Sequence, residues 1–141
     1  MTYAIPTAGT LIEVESLPKG SGVWNAIEEI ASIGASGATS SEIDATHLRS
    51  TAKEYLLGLP DNGRIPLQGN YLGTGYAGQA QMLTAFNDRS ERNFRITFAD
   101  SVPATVLTFP GRCMGFDVAM QPDSKVDLTI TIRVTGSRTF T

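Results

Sequence analysis

Three glycines in "GNYLGTGYAGQAQML" stand as Gly73-x-Gly75-x-x-Gly78, the spacing with which a strand-to-helix turn cradles a pyrophosphate. The strand-like "RIPLQGNYL" precedes them and the helix-like "AGQAQMLTAFND" follows. "NFRITFAD" then ends in Asp100, where an acidic ribose contact would sit. His47, the one histidine, has Asp44 and Ser50 close in sequence, the residue types of a hydrolase relay. Cys113, the one cysteine, is a candidate nucleophile. Asp44, Asp61, Asp88, Asp100, Asp117, Asp123 and Asp127 could offer oxygen ligands to a cation.

Each of these readings meets a physical objection. A dinucleotide fold opens with an apolar strand, whereas the strand before Gly73 carries Arg64, Gln68, Gly69 and Asn70. No helix-strand alternation follows Gly78 to complete a doubly wound sheet, so the glycines read as a tight turn into a helix. A relay is defined by spatial geometry, no G-x-S-x-G elbow occurs, and His47 reads as a loop-surface or interface histidine. Cys113 lies in the strand pattern "RCMGF", where adjacent Arg112 points to the opposite face, so a buried thiol is expected. The aspartates lack the spacing of a calcium loop. No catalytic residue, cofactor or metal is expected. Trp24, Tyr55, Tyr71 and Tyr76 leave one alternative, a carbohydrate- or ligand-binding module on a β-sandwich.

The chain has 141 residues, formal net charge -3, 18% charged residues and dispersed Lys and Arg. That argues against tight binding of nucleic acid through phosphate neutralisation. A lone cysteine excludes an intrachain disulfide framework. No apolar run approaches the roughly 20 residues that cross a bilayer, and no leader pattern opens the sequence, so a soluble protein without membrane association is expected.

The elements that must position these residues are mostly strands. "TLIEVESL" sets Ile12 and Val14 against Glu13 and Glu15. "VWNAIEEIASIG" fits a helix or a strand, and its β-branched residues favour strand. "RIPLQGNYL" sets Ile65, Leu67 and Tyr71 against Arg64, Gln68 and Asn70, after an Asn62-Gly63 turn suited to a tight hairpin. The helix carries Met82, Leu83 and Phe86 as an apolar stripe, with Gln79, Gln81 and Asn87 outward. "NFRITFA", "ATVLTF", "RCMGFDVAM" and "KVDLTITIRV" alternate, which marks antiparallel strands with one wet face. The fold class is mainly β with one α-helix (α+β): an antiparallel β-sandwich or barrel in a single domain over 1–141. An N-terminal arm over 1–10, a long loop over 34–63, a helix over 77–88 and a C-terminal arm over 135–141 are expected.

Three features exceed what a lone subunit needs: the arm, the long loop carrying "EYLLGL", and a terminal β-branched strand with an available edge. Exposed apolar segments and open edges point to a partner chain, in the simplest case a copy of the same chain.

The stretch "EIASIGASGATSSEIDATHLRSTAKEYLLGLPDNGRIPLQGNYL", residues 29–72, resembles the tail tube proteins (major tail proteins) of bacteriophages with long non-contractile tails. The resemblance rests on Ile43-Asp44-Ala45-Thr46, then Glu54-Tyr55, Gly58-Leu59 and Asp61-Asn62-Gly63 before an amphipathic strand. A helix, "FRITFAD", the "F-x-G" turn Phe109-Pro110-Gly111 and a closing strand before "TG" follow in the family's order. Ala45 stands where the family pattern has Val, and the added immunoglobulin-like domain of some members is not expected here.

The resemblance implies a structural virion protein, not an enzyme. It implies hexameric rings joined through one inner β-barrel and stacked into a tube that conducts double-stranded DNA at ejection without specific binding. Implied partners are further copies of the chain, the tape measure protein, and tail terminator and tail-tip proteins. The implied location is the virion tail, assembled in the host cytoplasm. On this reading Ile43, Asp44, Thr46, Leu48, Tyr55, Leu56, Leu57 and Leu59 make inter-subunit or inter-ring contacts. Gln68, Asn70, Asp127, Thr129, Thr131 and Arg133 face the lumen, where Arg64 and Arg133 would need carboxylates beside them.

Overall fold

A computed structural model describes residues 9–35, 37–98 and 104–141; most of the expected N-terminal arm, and Asp100, lie outside the described residues. Strands β1 (Leu11–Glu15), β2 (Trp24–Ala26), β3 (Ile30–Ile33), β4 (Thr39–Asp44), β5 (Tyr55–Asp61) and β6 (Arg64–Asn70) precede helix α1 (Ala77–Asp88). Strands β7 (Glu91–Phe98), β8 (Thr105–Ala119), β9 (Asp127–Val134) and β10 (Thr139–Phe140) follow it. All pairings are antiparallel, in the order β2-β1-β7-β8-β9-β6-β3, with β10 also on β8.

The strand β8 organises the whole. Its first part, Thr105–Arg112, pairs with β7, and its last part, Gly111–Ala119, pairs with β9, with a bulge between Cys113 and Gly115. One layer is therefore β2-β1-β7-β8 and the other is β8-β9-β6-β3. Their apolar faces enclose the core, in which Phe94 and Phe109 stack at 5.6 Å beside Val14, Leu67, Ile130 and Ile132. The sandwich class and the period-two strands match the sequence reading, because each strand buries one face only.

Several expectations need correction. "ATVLTF" and "RCMGFDVAM" form one strand, and Phe109-Pro110-Gly111 is no turn. The Pro110 carbonyl accepts from Thr135 N at 3.0 Å, so the missing N–H faces the link between β9 and β10 and breaks no ladder bond. The closing strand β9 is not an edge, since β8 and β6 flank it. "VWNAIEEIASIG" is two short strands, broken where Glu29 adopts φ 57°. Beyond β9, β10 pairs with β8 through Thr139 and Phe140. Asn62-Gly63 closes no hairpin, because among the described residues β5 pairs with β4 alone and β6 with β3 and β9. The segment 34–63 contains a two-stranded hairpin, β4–β5, instead of an irregular loop. In α1 the buried residues are Gly78, Gln79, Met82 and Ala85, while Phe86 is exposed.

Candidate functional site

The glycine turn fails as an anion site for a concrete reason. Tyr76 gives α1 no side-chain cap, and the first-turn N–H groups of Gly78 and Gln79 instead donate to the two carboxylate oxygens of Glu28, each at 3.2 Å. The helix N-terminus therefore already holds an anion, supplied by the β2–β3 link. A Cβ on Gly78 would fall 1.9 Å from the Ala26 carbonyl oxygen, so this glycine serves packing. Gln79, expected outward, is 1% exposed. Its amide donates to the carbonyls of Glu28 (3.0 Å) and Asn70 (2.8 Å) and accepts from Leu72 N (3.0 Å). Full pairing is what permits a buried amide.

His47 makes no relay. Its Nδ1 accepts from Arg49 N at 3.1 Å, its Nε2 lies 3.5 Å from Glu54 Oε2, and Ser50 Oγ accepts from the His47 backbone N–H. Asp44 accepts from Thr46 N at 2.9 Å, and bonds from Thr46 hold its carboxyl below the usual range. These contacts stitch the far end of the hairpin. Burial pushes the Cys113 thiol up to about 11, the opposite of an activated thiolate. Among the described residues, no three His, Cys, Asp or Glu side chains are grouped to hold a metal. Of the four aromatics, Trp24 is covered by the Arg95 guanidinium at 4.4 Å and Tyr71 packs edge-on to Phe116 at 6.3 Å. Tyr55 and Tyr76 remain exposed on separate segments.

Two other surfaces stand out. In the β4–β5 hairpin, Ile43 pairs opposite Leu56, Asp44 opposite Tyr55 and Glu42 opposite Leu57. Neither face of the hairpin packs on the core: Leu57 is 75% and Leu59 90% exposed, with Ile43, Leu48, Tyr55 and Leu56 also exposed. An isolated two-stranded hairpin is marginal in water, and a run of wet leucines on one calls for a partner surface. Thr46 closes its far end, with the Glu54 N–H donating to Thr46 Oγ1 at 2.9 Å.

The second surface is the outer face of β6 and β9. Registers Arg64↔Arg133, Pro66↔Thr131, Gln68↔Thr129 and Asn70↔Asp127 place all six sequence-selected polar residues on one face, opposite Ile65, Leu67, Ile130 and Ile132. β8 extends the rows with Arg112, Gly115, Asp117 and Ala119. Arg112, Arg133 and Arg64 thus oppose one another across three strands, an unfavourable arrangement of like charges. Carboxylates flank them: Asp61 lies 3.0 Å from the Arg133 guanidinium, and Glu91 Oε2 lies 4.0 Å from Arg112. The Gly63 N–H first, and Arg133 second, hold Asp61 below its ordinary value. Toward the other end of the face stand Asp117 and Asp127, the latter paired with Lys125 at 2.6 Å. Sequence reasoning missed Arg112, because the bulge in β8 hides which residues share a face.

A family model described as "Lambda phage tail tube protein, TTP" matches residues 13–141. Among solved structures, the tail of an empty GTA particle with C6 symmetry superposes with a TM-score of 0.74 at 19% identity, covering 93% of this chain and 94% of that one. The SPP1 tail tube gives 0.72 at 13% identity, covering 96% of this chain and 78% of that one. The sheath-tube complex of an extracellular contractile injection system gives 0.73 at 10% identity, covering 100% and 93%. No curated protein sequence matches the chain.

Proposed function

Since this chain belongs to the lambda phage tail tube protein family, we propose that it builds the tail tube by closing into rings that stack, and that it is not an enzyme. One observation carries the ring reading. The layer β8-β9-β6-β3 has four strands of alternating direction and, among the described residues, two ends without a further strand: β3, and the part of β8 beyond Arg112. With an even number of alternating strands, a copy related by rotation alone sets its β8 antiparallel to the β3 of its neighbour. Repeated pairing of this kind closes a barrel and leaves no open edge. The C6 symmetry of the GTA tail supports six copies.

In such a barrel the face carrying Gln68, Asn70, Asp127, Thr129, Thr131 and Arg133 lines the lumen. Asp61 and Glu91 reduce the phosphate affinity of the arginine row, which suits a conduit that double-stranded DNA must slide through without being held. The hairpin, with Ile43, Asp44, Thr46, Leu48, Tyr55, Leu56, Leu57 and Leu59, contacts the adjacent subunit or ring. The tube's location is the virion tail, assembled in the host cytoplasm, and its further partners are the tape measure, terminator and tail-tip proteins. Negative-stain electron microscopy of concentrated protein, with and without a tail-tip initiator, tests this reading. Hollow tubes of stacked rings are expected; persistent monomers under every condition would refute it and favour the ligand-binding module.

A further inference from the structure

Resting on the ring reading, we infer that neighbouring copies share one hydrophobic core: the flank formed by α1 and the end of β8 in one copy fills an apolar groove beside β3 in the next. The two sides of the sandwich are closed differently. On the β8 side, α1 packs against β8, β1 and β2 and bridges the layers. On the β3 side lies a groove of about 1260 Å³. Ile33, Ile65, Ile96, Leu107 and Phe140 line it beside Arg138, so its walls are mainly apolar and both layers contribute core-facing side chains to them. A groove of this size takes the side of a secondary-structure element, more than a single side chain.

The occupant is a second copy, for two reasons. Strand pairing between β3 and a neighbour's β8 sets that neighbour's α1–β8 flank against the groove, because both lie on the core side of the same layer. That flank also carries apolar side chains left partly bare within its own subunit: Met114, Val118 and Met120 on and just past β8, and Phe86 on α1. Val118 pairs in register with buried Leu128 and so shares its core-facing side. Hollow and flank are complementary in chemistry, and rotation brings them together without altering either.

Site-specific photo-crosslinking tests this. p-Benzoylphenylalanine replaces Phe140, a 60% exposed residue in the groove wall, so that folding tolerates the change. In assembled tubes, irradiation is expected to give a ladder at multiples of the subunit mass, with the adducts mapping to 114–120 or to α1 of another copy. The same probe at Ile33 is expected to report the same partner segments. Tubes whose adducts fall on the 39–61 hairpin, fall only within one chain, or do not form at all would overturn the shared core while leaving the tube intact. Failure of the unmodified chain to form tubes would overturn the ring reading, and the inference with it.

Discussion

Replacement of Leu57 by Asp should abolish assembly while sparing the subunit. Leu57 is 75% exposed in the hairpin, so the folded subunit gains little from it. A substitution at such a surface position stays within about 0.5 kcal/mol, about 1–3 °C in Tm for a chain of this size. In a contact that buries it, Leu57 contributes on the order of 1–2 kcal/mol, scaled from ~1.5–3 kcal/mol for a fully buried leucine. An unpaired carboxylate enclosed in the same contact costs roughly 3–5 kcal/mol more. Each contact then weakens by about 4–7 kcal/mol, or roughly three to five powers of ten. A tube requires many such contacts at once, so assembly moves beyond any reachable concentration. Thermal unfolding of the subunit, sedimentation velocity and negative-stain microscopy together read the result, with Leu57→Met as the control that still assembles. Normal tubes from Leu57→Asp would remove the hairpin from the interface. A fall of many degrees in subunit Tm would show that the hairpin has a packing role within the chain.

Two further outcomes follow from local geometry. Helix propensity alone predicts that Gly78→Ala stabilises by about 1 kcal/mol, but the Cβ would lie 1.9 Å from the Ala26 carbonyl oxygen. Chemical denaturation should therefore show a clear loss of stability, and a gain would refute the close approach. Acidification should also destabilise the subunit. Asp61 (Gly63 N–H first), Asp88 (Ser90) and Glu91 (Lys19) are all held below their ordinary values, so the unfolded chain binds more protons. Their contribution is complete above about pH 5 and is lost as pH falls through 4 and below. A Tm that stays level or rises below pH 4 would contradict those pairings.

Where burial was one-sided, the sequence was legible. β6, β7 and β9 each bury alternate residues, and that alternation is the signal by which strands are read. The hairpin escaped for the complementary reason: with neither face buried, "TSSEID" and "YLLGLPD" have no periodicity to show. Strand order was also hidden. Period-two patterns say which way side chains point but not which strand lies beside which, and so β9 reads as an edge although β8 and β6 flank it. Gln79 misled because polarity suggested water, whereas three hydrogen bonds satisfy it inside the fold. The polar rows of β6 and β9 were readable from either strand alone, and the pairing adds only that they coincide.

The fifteen-residue strand β8 belongs to both layers, and this bears on mechanics. Layers joined only by side-chain contact can shear over each other, but layers that share a backbone cannot without breaking ladder bonds on both sides. Each subunit is thereby a stiff block from one layer of the sandwich to the other. In the tube proposed above, such blocks would flex at the joints between them, and the bore would stay constant around a curve.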